Sequence, residues 1–255
     1  MPLFQIEGLT HFFGGLRAVY DFNLTLEAGE LVGLIGPNGA GKSTVFNLVC
    51  GVYRPTEGQV RLNGTDLVGQ RPHKVAAKGI GRTFQNIRLW NELTVLDNVR
   101  VAHYSKINYG LADSILRSKR WRAEEAEIEK QAMELLDLFG VVDYAHDLAK
   151  NLPYGEQRRV EIVRALAVEP RLLLLDEPAA GMNPGEIDAL LDLIKRLRDE
   201  FGLTIWVIEH QMRVIMNICE RIKVIDFGET IAEGTPEQIQ SNQRVIEAYL
   251  GEEVD

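Results

Sequence analysis

The segment Gly36-Pro37-Asn38-Gly39-Ala40-Gly41-Lys42-Ser43-Thr44 restricts the fold more than any other part of the chain. Its spacing is G-x-x-x-x-G-K-[ST]. It stands between a nearly continuous apolar run, Leu31 to Ile35, and helical patterning from Lys42 to Cys50. Such a run suits a strand buried on both faces of a parallel sheet. A strand that ends in a glycine-rich loop and feeds a helix makes a cradle for phosphate. Small residues let backbone N–H groups close around the oxygens, and the helix aims its positive end at the same place. Lys42 is then placed to reach β- and γ-phosphates, Ser43 to ligate Mg²⁺, and Thr44 to hydrogen-bond a more proximal phosphate.

The rest of the chain supplies a sheet to carry this loop. Leu172–Asp176, Thr204–Ile208 and Arg221–Asp226 read as further strands, with a helix from Gly185 to Phe201 between the first two. Alternation of this kind implies parallel crossovers. Nearer the N-terminus, strands are expected to start at Leu3 and to run from Tyr20 to Leu26, with Glu27-Ala28-Gly29-Glu30 as a hairpin turn. From Thr94 to Val168 the pattern is helical and holds no convincing strand. Trp121 to Phe139 is charged on one side and carries Ile128, Ala132, Leu135 and Leu136 on the other. The C-terminal stretch from Ile239 to Leu250 reads as one terminal helix.

Asp176 and Glu177 follow the Leu172–Leu175 run directly, at the carboxyl end of a strand, where active residues of parallel sheets gather. Asp176 suits a hard Mg²⁺ ion or its waters. Glu177, one residue further, is placed to orient or deprotonate an attacking water, a role that contributes ~10²–10⁴-fold. Composition removes other classes. The net charge of −9 disfavours a chain whose main work is holding nucleic-acid phosphates. The longest aliphatic run is far short of the ~20 apolar residues that span a bilayer. No basic stretch precedes an apolar N-terminal core, so no signal peptide is expected. Two cysteines make neither a disulfide framework nor a zinc site. A soluble, reduced, cytoplasmic α/β protein is the reading that remains.

The motifs occur in a recognisable order. After the phosphate loop comes Gln85, within Thr83-Phe84-Gln85-Asn86. Leu152-Pro153-Tyr154-Gly155-Glu156-Gln157-Arg158-Arg159 then opens a helix before the acidic strand, and His210 ends the next one. This arrangement resembles the nucleotide-binding subunits of ABC transporters over essentially the whole chain. The stretch Ile80 to Trp90, the helical insert after His103 and the closing Tyr249-Leu250-Gly251 look like the ATPases of branched-chain amino acid importers, in particular the longer of their two ATPase subunits. Urea-import and lipopolysaccharide-export ATPases share much of this wording. The resemblance implies a P-loop NTPase (RecA-like) α/β core at 1–86 and 161–255, with an N-terminal antiparallel β subdomain. It also implies an inserted α-helical subdomain at 87–160.

The resemblance also implies roles. ATP and Mg²⁺ are the expected ligands. Gln85 contacts Mg²⁺ or the water, His210 contacts the γ-phosphate, and Phe13 stacks on adenine, with Phe12 as its rival. Tyr154, Gly155 and Glu156 of one subunit cover ATP held by another. Expected partners are a sister ATPase, two transmembrane permease subunits and, indirectly, an extracytoplasmic solute-binding protein, with no nucleic acid. The expected location is peripheral, on the cytoplasmic face of the inner membrane. The signature departs from the family's Leu-Ser-Gly-Gly-Gln: Pro153 removes a hydroxyl and a backbone N–H, Tyr154 replaces a glycine, and Glu156 adds a charge. Two such signatures would weaken a homodimer, so a heterodimer with a sister that keeps the signature intact is favoured.

Other readings stay open at this stage. A soluble ABC ATPase acting on ribosomes or DNA usually carries two cassettes or a long coiled coil; this chain has one phosphate loop and no sustained heptads. A nucleotide-binding regulator without turnover has no use for Glu177, and no Asn-Lys-x-Asp marks a GTPase. Ile87, Leu89 and Trp90 read either as a docking surface or as core. Arg117, Lys119, Arg120 and Arg122 read either as a contact for lipid headgroups or a permease loop, or as a solvated helix end.

Overall fold

The computed structural model describes residues 2–250 and divides the chain into two units. One comprises the residues up to Ile80 and from Arg171 onward; the other is Gly81–Pro170. In chain order the elements are β1 (Phe4–Phe13), β2 (Leu16–Leu26), β3 (Leu31–Ile35), α1 (Lys42–Val49), β4 (Glu57–Leu62), β5 (Thr65–Asp66), α2 (Pro72–Ala77) and β6 (Ile80–Arg82). Then follow α3 (Val95–His103), α4 (Leu111–Leu116), α5 (Lys119–Leu138) and α6 (Tyr154–Leu166). The chain ends with β7 (Leu172–Asp176), α7 (Pro184–Phe201), β8 (Thr204–Ile208), α8 (Met212–Ile218), β9 (Arg221–Asp226), β10 (Glu229–Gly234), α9 (Pro236–Gln240) and α10 (Gln243–Leu250). Gly251 of the closing Tyr249-Leu250-Gly251 lies outside the described residues.

The first unit is built on two sheets. An antiparallel sheet runs β2-β1-β4-β5, with Phe4 opposite both Leu26 and Leu62. The second sheet has six strands, and those of this unit follow the order β10-β9-β3-β8-β7. Here β3 pairs in parallel with β8 (Leu31 opposite Ile205) and β9 (Val32 opposite Arg221), and β7 pairs in parallel with β8. All residues of β3, β7 and β8 are buried, which is why their sequences run apolar without alternation. Trp206 of β8 ties the layers together. Its ring lies 4.8 Å from Phe46 of α1, 6.0 Å from Phe4 of β1 and 6.2 Å from Phe22 of β2. Burying each of these rings contributes on the order of 1.5–3 kcal/mol.

Glu27–Glu30 is a turn, with the Glu30 N–H donating to the Glu27 carbonyl, but not the expected hairpin. It passes the chain from one sheet to the other. Gly29 N–H donates to Thr204 Oγ1 at 2.8 Å, and Ile205 N–H donates to the Glu30 carbonyl at 2.9 Å. As a central strand, β3 needs both edges for β8 and β9, so β2 has no place beside it. The C-terminal stretch forms two short helices rather than one. The side chain of Asn242 accepts from Arg244 N–H and Val245 N–H, which starts α10 afresh after α9.

The second unit is helical. Among its described residues from Thr94 to Val168 there is no strand, only an isolated bridge between Thr94 and Leu148. Thr94 caps α3 by accepting from Asp97 N–H, and Ser118 caps α5 by accepting from Trp121 N–H. The apolar face of α5 buries Ile128, Ala132 and Leu136. Two buried polar side chains fix the connections. The Asn98 amide bonds to Trp90 N–H and to the Trp90 and Thr94 carbonyls, and Glu125 accepts from Arg100, Tyr104 and Tyr109.

Candidate active site

The loop from Gly36 to Gly41 leaves the carboxyl end of β3 and opens α1 at Lys42. Two of its glycines have no substitute. Gly36 has φ +153° and a Cβ there would sit 2.0 Å from the Ile225 carbonyl oxygen; Gly41 has φ +103° and a Cβ there would sit 2.5 Å from the Ala18 carbonyl oxygen. The loop is therefore pressed from both sides, by β9 and by β2. Gly228 N–H donating to the Ala40 carbonyl at 2.9 Å holds a third point. No side chain caps α1, and no acidic residue stands in its first turn. Its first N–H groups and positive dipole end are thus left for an anion. The buried Lys42 ammonium donates to the Gly36 carbonyl and, at 2.7 Å, to the Pro37 carbonyl, so a cation is held inside the loop itself. Pro37 and Ala40 are buried, whereas Asn38, Gly39 and Ser43 are exposed and Thr44 is half-buried.

Asp176 is buried at the end of β7. Glu177, the next residue, has φ +47°, a left-handed conformation that costs a non-glycine residue on the order of 1–3 kcal/mol. Its own N–H fixes it there, by donating to the Ile208 carbonyl at 2.9 Å. The Glu177 carboxylate lies 3.6 Å from Nδ1 of His210, with the imidazole 48% exposed and the carboxylate 14%. The ends of two adjacent parallel strands so bring the expected base and the expected histidine together.

Glu209, which the sequence reading passed over, organises this corner. It is fully buried and accepts from Ala179 N–H at 3.0 Å, His210 N–H at 3.1 Å and Gln211 N–H at 3.3 Å. One carboxylate thereby joins the loop after β7 to the loop after β8. Burial outweighs the three donors and pushes its carboxyl above the ordinary carboxylate range. In sequence it shows only as a charged residue after the Thr204–Ile208 strand, which does not tell a buried carboxylate from a solvated one.

Phe13 ends β1 opposite Leu16, three residues before Val19 along the hairpin and close in register to Ala18, whose carbonyl touches Gly41. The hairpin tip thus stands beside the phosphate loop. The Phe13 ring makes edge contacts with His11 (4.6 Å) and Tyr53 (5.3 Å) and stays 43% exposed, so it is held in place with a face free. Phe12 is equally exposed but belongs to no such ring cluster among the described residues.

Gln85, Tyr154, Gly155 and Glu156 lie in the second unit. Gln85 and Tyr154 are exposed, and Gly155 is buried. Pro153 is the N-cap of α6 and offers no capping side chain; the Glu156 carboxylate sits in the first turn, 3.6 Å from Arg159. The Gln85 backbone is gripped by α6. The fully buried Arg158 donates to the Phe84 carbonyl at 2.6 Å and to the Gln85 carbonyl at 2.8 Å, and pairs with buried Glu161 at 2.8 Å. Glu161 in turn accepts from Arg88 N–H and, more weakly, from Phe84 N–H. Ile87 and Leu89 are half-buried, and exposed Trp90 lies under Arg164.

The donor set fits Mg²⁺. The candidate ligands are hard oxygens, and the described residues contain no cluster of three or more His, Cys, Asp or Glu able to cage a metal without substrate. An ion that keeps its waters and is held by one hydroxyl, one carboxylate and nucleotide phosphates needs no such cage.

Comparison with known proteins agrees with this chemistry. The family model described as ABC transporter matches residues 19–180, and one described as branched-chain amino acid ATP-binding cassette transporter matches 229–255. The chain is 46% identical to the high-affinity branched-chain amino acid transport ATP-binding protein BraF of Pseudomonas aeruginosa and 45% identical to LivG of Escherichia coli K12, over 98% of each chain. Its fold matches the crystal structure of the ADP conformation of MJ1267, an ATP-binding cassette of an ABC transporter, with a TM-score of 0.86 and 29% identity over 98% of this chain and 99% of that one. The chain belongs to the ABC transporter family, as one of its ATP-binding and ATP-hydrolysing subunits.

Proposed function

We propose that this subunit powers import of branched-chain amino acids, bound peripherally to permease subunits at the cytoplasmic face of the inner membrane. Full-length similarity to BraF and LivG supports the solute class. No helix among the described residues is long and apolar enough to cross a membrane, which fits a subunit that works through others. The observation that carries the hydrolytic role is the Glu177–His210 pair, 3.6 Å apart, after β7 and β8, of which β8 neighbours the strand that feeds the phosphate loop.

The residues divide the work by position. Gly36 to Thr44 bind the phosphates through backbone N–H groups, and the Lys42 ammonium exchanges the Gly36 and Pro37 carbonyls for β- and γ-oxygens. Ser43 and Asp176 would hold Mg²⁺, which would supply charge neutralisation at the phosphates. Glu177 aligns the attacking water and takes its proton. His210 hydrogen-bonds the γ-phosphate and, by its contact with Glu177, sets the carboxylate's orientation. Phe13 stacks on adenine. Tyr154, Gly155 and Glu156 face ATP held by a sister subunit. Because Pro153 lacks both hydroxyl and N–H, a sister with a full signature makes the better partner, and a heterodimer is the working assembly.

The test is the solution mass of purified Glu177→Gln protein with and without Mg-ATP. A monomer that binds ATP supports the need for a sister subunit; an ATP-dependent doubling overturns it. Leucine uptake by proteoliposomes that contain the permease, the binding protein and both ATPases tests the solute class, and uptake that ignores branched-chain amino acids overturns that part.

A further inference from the structure

The second unit carries a surface that the ATPase cycle does not use. Helix α4 buries none of its residues, although half of them are large aliphatics. Leu111 is 79% exposed, Ile115 72% and Leu116 78%. Leu111 and Ile115, four residues apart, share one helix face. Three largely exposed aliphatics in a six-residue helix are not the scattered apolar residues of an ordinary surface.

A sharp turn joins this apolar end to a basic one. Arg117 sits at φ +46°, its N–H turned back to the Ser114 carbonyl, and Ser118 N–H bonds to the Asp113 carbonyl. Helix α5 then starts at Lys119. Arg117, Lys119, Arg120 and Arg122 are all exposed, four positive charges within six residues of a chain whose net charge is −9. Local structure does not account for them. Basic residues in the first turn oppose the helix dipole, so they cost α5 stability. Among the described residues none of the four makes a salt bridge; Arg117 lies over the Trp121 ring at 5.9 Å. The nearby Asp113 carboxylate accepts from Gly110 N–H, and of the four cations Arg120 interacts with it electrostatically. Exposed aliphatics beside Lys and Arg side chains that make no salt bridge among the described residues match a surface that is anionic outside and apolar beneath.

We propose that the α4–α5 turn, Leu111 to Arg122, docks on the anionic headgroup surface of a lipid bilayer, with Leu111, Ile115 and Leu116 entering the acyl boundary and the four basic side chains at the phosphates. The patch is a lipid contact of the subunit's own, separate from any hold on the permease. It is weak and reversible, because a single short helix buries little apolar area. The inference does not depend on the transported solute.

Flotation of the purified full-length chain with large vesicles tests it, at low and at 300 mM salt. One set is phosphatidylcholine alone and the other a three-to-one mixture of phosphatidylcholine and phosphatidylglycerol. Binding is expected only to the mixture and to fade with salt. Each basic residue at such a surface is worth about five-fold. Replacing all four by Gln is therefore expected to lower partitioning by about 600-fold. The triple variant Leu111→Ser, Ile115→Ser, Leu116→Ser should lower it by about ten-fold or more. Both variants change only exposed positions, so phosphate release serves as the control and should stay unchanged, and the melting temperature of the Gln variant should not fall. Equal binding to both vesicle types overturns the proposal. So does native-like binding by either variant, or failure of the native chain to float at low salt. Loss of permease association in the variants without any effect on vesicle binding would assign the patch to a protein loop and overturn it as well.

Discussion

The two units hold their functional loops by opposite means. In the first, the phosphate loop is fixed by backbone: positive-φ glycines, carbonyls of Ala18 and Ile225 in van der Waals contact, and a main-chain bond from Gly228. In the second, the Gln85 loop is irregular and is held by side chains, with Arg158 on two carbonyls and Glu161 on two N–H groups. A backbone-built site presents donors that no substitution elsewhere can remove, but it tolerates no added atom. A side-chain clamp tolerates changes of volume, and it can let go. The first construction suits a loop that must present the same N–H groups to every nucleotide. The second suits a loop that has to be able to shift.

Two substitutions at the first site separate cradle from chemistry. Gly36→Ala puts a methyl 2.0 Å from the Ile225 carbonyl oxygen, and the backbone must move. Mg-ATP binding should fall by more than about 100-fold, measured by calorimetry, since misplacement of the cradle by ~1 Å suffices for that. Glu177→Gln leaves every backbone donor where it is. It should bind ATP as the native chain does and lose hydrolysis by ~10²–10⁴-fold in phosphate release. Equal binding in both variants would break the claim that backbone geometry makes this site.

The second site should respond differently. Arg158→Met strands the buried Glu161 carboxylate and should cost about 3–5 kcal/mol of stability in denaturant unfolding. Arg158→Met with Glu161→Leu removes both charges and should regain most of that, because replacing a buried pair by apolar residues is often near neutral. The double variant still lacks the grip on the Phe84 and Gln85 carbonyls. Its ATP turnover should stay low after stability is regained. If turnover returns together with stability, the clamp is only structural.

The adenine contact is a smaller effect. Phe13→Ala should raise the KM for ATP about ten-fold, consistent with loss of one base–aromatic stack worth ~1–3 kcal/mol. Phe12→Ala should leave it within about two-fold. The reverse ranking would transfer the role to Phe12, whose ring lacks the His11 and Tyr53 neighbours that steady Phe13.

What could be read in the sequence follows the same division. The phosphate loop was legible residue by residue, because a backbone that must adopt positive φ and accept close neighbours leaves glycines at fixed spacing. The buried strands that end at Asp176 and Ile208 were legible as nearly unbroken apolar runs. Glu209 was not, since nothing local tells a buried carboxylate that accepts three N–H groups from a solvated one. Arg158 and Glu161 look like ordinary helix-surface charges three apart; only the return of residues 84–88 to α6, more than seventy positions away, gives them partners. The hairpin expected at Glu27–Glu30 failed for a similar reason, because the choice of sheet for β2 and β3 depends on strands near residues 205 and 221.

The smallest effect asks whether backbone donors or desolvation governs Glu209. Three N–H groups favour its charged form, and burial disfavours it. With burial dominant, the folded-state carboxyl titrates above its ordinary value of 4.5. A raised folded pKa means that its contribution to stability is fully present below the unfolded value and is lost as pH rises through the folded one. Thermal melts of the native chain and Glu209→Gln across pH 4 to 8 therefore have a signed expectation. The native chain should lose ground to the variant as pH rises from about 4.5, and the gap should level off once the buried carboxyl is ionised. Each 1 kcal/mol moves the melting temperature by about 2–4 °C in a chain of this size, so the drift is measurable. A gap that moves the other way would mean that the three N–H donors outweigh burial. The corner joining Glu177 to His210 would then be another backbone-built device, and the contrast between the two units would sharpen rather than fail.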